Sequence, residues 1–149
     1  MPAKDFVSTL IHELSLLVSR AFNAETRDIG LTRTQWMILF RLLQDGEQSQ
    51  TEIATKLSIA KQPLGKVIEQ LESAGWVKRK RNPRDKRAYL VSNTDKVTPL
   101  VPSLYTVVKD IDDLGLQGLD GAEREKLLTH LRMIKTNIMN VVEEQGSKS

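Results

Sequence analysis

The chain has 149 residues, 40% of them hydrophobic and 28% charged, which fits a folded globular protein able to bury roughly two-thirds of its unfolded surface. It contains no cysteine, so disulfides, thiolate metal sites and thiol redox sensing are excluded, and a reducing cytosol suits it. The net charge of +3 conceals a polarised chain: residues 1–48 carry five basic and six acidic side chains, 49–92 ten and four, and 93–149 seven and nine.

The N-terminus has Lys4 but no long apolar run behind it, and no segment approaches the ~20 apolar residues of a membrane span. The expectation is a cytoplasmic protein that is neither exported nor membrane-inserted. From Phe6 to about Arg27, Phe6, Leu10, Leu14, Leu17 and Ala21 recur three or four residues apart, with Val7, Ile11 and Val18 widening the stripe. This predicts a long helix with a broad apolar face. Gly30-Leu31-Thr32 interrupts it, and Thr32 is a suitable N-cap for a second helix that holds Trp36, Met37, Leu39, Phe40, Leu42 and Leu43 and stops at Asp45-Gly46.

Ser49 with Glu52 three residues on has the spacing of a capping box for a short helix, whose inner side is Ile53, Ala54 and Leu57. Ser58-Ile59-Ala60 links it tightly to another helix. Pro63 is acceptable there because it falls in the first turn, where no intrahelical N–H is needed. Val67, Ile68 and Leu71 face inward, Lys61, Gln62, Lys66 and Gln70 outward, and Gly75 ends the helix. Residues 76–80 and 88–91 favour β structure around the turn Asn82-Pro83-Arg84-Asp85, which predicts a two-stranded wing. Asn93 or Thr94 is expected to open a fifth helix, irregular at Pro99 and Pro102, with a stripe of Leu104, Val107, Val108, Ile111 and Leu114. Gly115, Gly118 and Gly121 mark a turn. The last helix spaces Leu127, Leu131, Ile134, Ile138 and Val141 as a seam for a partner helix, and Gly146-Ser-Lys-Ser is expected to fray. Apolar faces this wide on flanking helices call for burial against a second copy.

The middle third carries the chemistry. In a helix-turn-helix the second helix enters the major groove, where Gln pairs with adenine, Lys reaches guanine acceptors or phosphate, and an apolar group meets a thymine methyl. Lys61, Gln62, Pro63 and Lys66 stand where those contacts arise, although an amphipathic helix with a solvated polar face would look the same. Residues 78–87 then hold seven cations against the single acid Asp85. A charge run is usually a solvated face, but this one is bracketed by strands, and an Arg-rich hairpin tip fits a narrow minor groove. Asp85, two residues from Arg87, is placed to orient that guanidinium through a charge-assisted bond.

Leu31-Thr-Arg-Thr-Gln-Trp-Met-Ile-Leu39, Ser49-Gln-Thr-Glu-Ile-Ala-Thr-Lys-Leu57, Leu71-Glu-Ser-Ala-Gly-Trp-Val-Lys-Arg79 and Arg84-Asp-Lys-Arg-Ala88 together resemble the successive motifs of MarR/SlyA-type winged helix-turn-helix transcriptional regulators, over about residues 6–145. The resemblance implies a mainly α fold with long N- and C-terminal dimerisation helices (1–30 and 93–149) around a winged helix-turn-helix DNA-binding domain (31–92). It further implies a homodimer that binds double-stranded DNA at a pseudo-palindromic operator, as a repressor. Carried over by position, Arg87 is the minor-groove arginine and Asp85 its partner, with Arg84 and Lys86 beside them. Lys61, Gln62, Pro63 and Lys66 lie on the recognition helix, while Ser49 and Gln50 start the preceding helix near the DNA backbone. Lys86 stands where many members have Arg, which keeps the charge but loses the planar fork. Asn93-Thr-Asp-Lys-Val97 replaces the usual Leu-Thr-x-x-Gly entry to the fifth helix.

Members of the family respond to small aromatic or anionic effectors held between two lobes, which puts Arg20 and Trp36 forward as ligand contacts. By residue type alone, such a Trp is more often core and such an Arg more often surface. Enzyme chemistry finds no footing: His12 and His130 are far apart, no Gly-rich phosphate loop occurs, and Asp110, Asp112 and Asp113 lack a calcium-loop setting. No catalytic residue, cofactor or metal is expected. Two other classes stay open: an architectural protein that binds DNA without sequence preference, and an interaction module that turns the winged fold to an acidic protein partner.

Overall fold

The computed structural model describes residues 6–148, so the expectations resting on Lys4 and Ser149 lie outside the described residues. Helix α1 (Val7–Glu25) ends at Thr26, whose buried hydroxyl donates to the carbonyl of Phe22 at 2.9 Å or that of Leu31 at 2.6 Å. That side chain fixes the turn into α2 (Arg33–Asp45). Thr32 caps α2 as expected, and Gln35 completes the box: its N–H donates to Thr32 Oγ1 at 3.2 Å and its Oε1 accepts from Thr32 N–H at 2.9 Å. The helix stops at Gly46, whose φ of 75° is a conformation that L side chains rarely adopt.

The chain then runs through β1 (Gln48–Ser49), α3 (Gln50–Leu57), α4 (Lys61–Ser73), β2 (Val77–Arg81) and β3 (Tyr89–Asn93). The hairpin of β2 and β3 pairs in antiparallel register from Val77↔Asn93 to Arg81↔Tyr89. The sheet has three strands in the order β1-β3-β2. The third was not expected: holding Ser49 extended as the N-cap of α3 lays Gln48 and Ser49 along the free edge of β3, and two residues are too few to show a period of two.

One core serves all of these elements. Ile38 and Leu39 of α2, Ile53 of α3, Leu64, Ile68 and Leu71 of α4, Val91 of β3, Phe22 of α1 and Leu104 of α5 (Val101–Gly115) are buried in it. Leu64, one turn before Ile68, was missing from the expected inner face, whereas Val67 is only partly buried. Full burial of each such side chain contributes roughly 1.5–3 kcal/mol, enough to dictate which face of α4 turns inward. The opposite face is thereby left to solvent.

The fifth helix begins later than expected. Asn93 ends β3 and donates from Nδ2 to the Leu39 carbonyl at 2.9 Å, and Thr94 Oγ1 lies 2.6 Å from the Gly75 carbonyl and 3.3 Å from that of Trp76. Both candidate caps are thus committed to tertiary bonds. A 3₁₀ turn at Thr98–Leu100 accommodates Pro99, and α5 starts at Val101 with Pro102 in its first turn.

The chain divides into two compact units, Met1–Ile111 and Asp112–Ser149. The second contains the end of α5 and α6 (Gly121–Gly146), which opens with a reciprocal capping box between Asp120 and Glu123. Arg124 joins the two helix ends, with its guanidinium 3.2 Å from Asp113 and donating to the Leu116 and Leu119 carbonyls. Of the expected seam, Leu127 and Ile134 are partly buried while Leu131, Ile138 and Val141 are exposed. In the first unit the α1 stripe is also exposed, with Leu10, Leu14 and Leu17 each about half accessible.

Candidate nucleic-acid interface

Helices α3 and α4 form the helix-turn-helix. Ser58, at φ 53°, is the one non-glycine residue with positive φ among those described, and this left-handed step turns the chain sharply from α3 into α4. Ala60 precedes α4 in extended conformation and supplies no side-chain cap, so the first turn relies on Lys61, Gln62 and Pro63, all exposed, with Lys66 one turn on. At the far end Gly75, at φ 80°, closes a Schellman motif: its N–H bonds the Glu72 carbonyl at 3.0 Å and that of Trp76 the Leu71 carbonyl at 2.9 Å. That closure sends the chain directly into β2.

Ser49 and Gln50 are less free than α4. Ser49 Oγ accepts the Glu52 N–H at 3.1 Å, and Gln50 Oε1 accepts from Arg79 at 3.5 Å. Arg79 was not among the expected site residues. Its guanidinium also grips Glu72 of α4 through two bonds, of 3.3 and 3.0 Å, and lies 5.1 Å from the Tyr89 ring centroid. Hydrogen bonding to the guanidinium holds the Glu72 carboxyl below its ordinary value, and the same contact raises Arg79. The signal in the sequence was the pair itself, an acid at the end of a helix and an arginine two residues into the next strand. Nothing in that spacing says which of seven neighbouring cations takes the acid.

Six of the seven cations of residues 78–87 divide into two sets, while Lys78, exposed on β2, belongs to neither. On β2, Arg79 pairs with Glu72, Lys80 Nζ lies 3.2 Å from Glu47, and Arg81 Nη1 donates to the Lys86 carbonyl at 2.5 Å. In the loop, Arg84, Lys86 and Arg87 are exposed, and among the described residues no side chain partners theirs. The loop is nevertheless well braced. Asn82 Oδ1 accepts the Arg84 N–H at 3.0 Å, Asp85 Oδ1 accepts the Arg87 N–H at 3.0 Å, and Asn82 and Ala88 close the hairpin through a 3.0 Å backbone bond. The expected bond from Asp85 to the Arg87 guanidinium does not form. Asp85 is two residues before Arg87, the reach of an Asx turn, so its carboxylate meets the backbone N–H and leaves the guanidinium outward.

The elements converge at a cleft of about 250 Å³ lined by Gln50, Thr51, Lys61, Arg87, Ala88 and Tyr89. The starts of α3 and α4 and the wing loop therefore meet at one place, with two cations and no acid in the lining. A second, more apolar pocket of about 210 Å³ is lined by Arg33, Trp36, Met37, Phe40, Tyr105 and Val108. Trp36 is both core and lining, 5% exposed and tilted against Phe40 at 5.5 Å between ring centroids. Arg20 is exposed on α1 and is not part of that lining; the charged group there is Arg33, whose Nη1 lies 3.2 Å from Ser19 Oγ. His12 and His130 are exposed, and among the described residues no group of three His, Asp or Glu is placed to hold a metal ion.

Residues 31–89 match the family model described as MarR family. The winged helix-turn-helix segment of this chain is similar to the MarR family. Similar solved structures span nearly all of this chain. A MarR transcriptional regulator from Methanosarcina mazei Go1 superimposes with a TM-score of 0.87 at 22% identity, covering 92% of this chain and 99% of that one. A mutant E. coli MarR complexed with operator DNA gives 0.77 at 25% identity, covering 86% and 92%. Bordetella bronchiseptica BpsR, whose DNA binding is regulated by 6-hydroxynicotinic acid, gives 0.80 at 24% identity, covering 91% and 96%.

Proposed function

We propose that this chain is a MarR-type transcriptional regulator, a cytoplasmic repressor that binds a pseudo-palindromic operator as a homodimer and is released by a small aromatic or anionic ligand. The observation that carries the reading is the convergence of Lys61 and Arg87 on one cleft. A helix in the major groove and a loop tip in the adjacent minor groove would bring both cations to the same stretch of backbone. Lys61, Gln62, Pro63 and Lys66 read base edges, Arg87 enters the minor groove, and Arg84 and Lys86 meet phosphate. Ser49 and Gln50 lie beside the backbone at the start of α3, and Asp85 acts through the Arg87 backbone. The operator complex of the E. coli relative supports this use of the fold.

Dimerisation is supported by the exposed apolar side chains of α1 and, separately, of α6, since surface of that kind on a water-soluble chain calls for a second copy. No described helix is long and apolar enough to cross a membrane. The effector site is the pocket of Trp36, Phe40 and Tyr105, where rings stack a planar ligand and Arg33 supplies the counter-charge. BpsR, with its hydroxylated aromatic acid, supports that chemistry. A ligand that binds better to a dimer with the wrong half-site spacing lowers DNA affinity by the difference in its own affinity for the two states.

The test is selection of bound sites from a random duplex pool at near-physiological salt. An inverted repeat with half-site centres ~34–36 Å apart, one duplex turn, is the expected product. Recovery without sequence bias would replace this reading with an architectural one, and no recovery at all would point to an acidic protein partner.

A further inference from the structure

The peptide group joining Lys86 to Arg87 has both polar atoms occupied by side chains of the same hairpin. Its carbonyl accepts from Arg81 Nη1 at 2.5 Å and its N–H donates to Asp85 Oδ1 at 3.0 Å. Two bonds at opposite ends of one planar unit fix its rotation, which a single bond would not. The Arg81 guanidinium is itself held from a second direction, 4.9 Å from the centroid of Tyr89, the residue opposite it in the ladder. Tyr89 in turn lies under Arg79, and Arg79 is tied to Glu72 on α4. A continuous series of contacts thus runs from the recognition helix to the peptide that carries Arg87.

We propose that Arg81 is a positioning residue: it pins the Lys86–Arg87 peptide and so aims Arg87, and it makes no contact with DNA phosphate itself. The inference rests on the reading of Arg87 as a DNA contact. A planar fork suits the task because one nitrogen bonds the carbonyl while the delocalised charge stays within 4.9 Å of the ring centroid, a combination that a compact ammonium group does not reproduce. An unanchored loop would have to order itself on binding, and that cost would appear as weaker affinity.

The test is the affinity of the full-length protein for its selected duplex over a range of salt concentrations, for wild type, Arg81→Ala, Arg81→Lys, Arg87→Ala and the Arg81→Ala/Arg87→Ala double variant. Arg81→Ala is expected to weaken binding about tenfold, the worth of one charge-assisted hydrogen bond, without changing the salt slope. Arg81→Lys should be nearly as weak despite its charge. In the Arg87→Ala background the further loss from Arg81→Ala should be under about twofold, because a residue that acts only through Arg87 has nothing left to position. A slope reduced by about one, full additivity with Arg87→Ala, or wild-type affinity in Arg81→Lys or Arg81→Ala would each overturn the proposal and make Arg81 a phosphate contact or a bystander. If Arg81→Ala unfolds, Arg81→Lys and its double variant with Arg87→Ala decide the matter. Failure of the underlying reading looks different: Arg87→Ala alone would then bind as wild type does.

Discussion

The base and the tip of the wing are built from the same side chains and use them in opposite ways. Along β2, Arg79, Lys80 and Arg81 each find a protein partner in Glu72, Glu47 or the Lys86 carbonyl. In the loop, Arg84, Lys86 and Arg87 have their backbone braced while their cationic ends face solvent. Cation density, high in both halves and higher on β2, does not separate construction from binding. What separates them is whether an acceptor of the fold lies within reach. The strand brings Arg79 and Lys80 against Glu72 and Glu47, whereas the one acid of the loop is spent on a backbone N–H.

Substitutions can break that contrast or sharpen it. The largest effect is expected at the tip: Arg87→Ala should weaken operator binding by about 1–3 kcal/mol, measured by fluorescence anisotropy, with the unfolding midpoint unchanged. At the base the order inverts. Arg79→Ala should cost about 1 kcal/mol of stability in a denaturant titration, a figure reduced for the partial exposure of the pair, because it unties α4 from β2. Equal effects of the two substitutions on both observables would erase the distinction between base and tip.

Acid sharpens the same point. Glu72 is held below its ordinary value of 4.5, so its contribution is fully present above that pH and fades as pH falls through the folded-state value. The stability gap between wild type and Glu72→Gln should therefore be open at neutral pH and close below about 4.5, as followed by urea unfolding at several pH values. A gap that widened in acid would contradict the ion pair. The smallest effect belongs to Lys80→Ala, which removes an exposed pair and should change stability by less than about 0.5 kcal/mol.

Much of this organisation was legible in the sequence. Where a local rule acts alone it held: Thr32 and Ser49 cap their helices, Pro63 sits in a first turn and Gly75 ends α4 with positive φ. Where a residue had two competing uses, the sequence left the choice open. Asn93 and Thr94 are good helix caps, but the Leu39, Gly75 and Trp76 carbonyls take them, and the fifth helix starts at Val101 instead. The same limit applies at the candidate interface. Spacing allowed Asp85 to meet either the side chain or the backbone of Arg87, and only the turn geometry selects the backbone. It also could not place Arg33 beside Trp36 or Arg20 outside the lining of the apolar pocket, since that depends on which face of α1 turns toward α2.

The most direct test of the central claim, that the tip binds DNA while the base builds the wing, is the salt dependence of affinity for the selected duplex. Wild type should be compared with the triple variant Arg84→Ala/Lys86→Ala/Arg87→Ala. Loss of the two phosphate contacts of Arg84 and Lys86 should make the slope of log Kd against log salt shallower by about 1.8 per protomer, and the loss of Arg87 should make that change no smaller. A triple variant that bound with the wild-type slope would contradict the account and move the DNA contacts of this chain away from the tip.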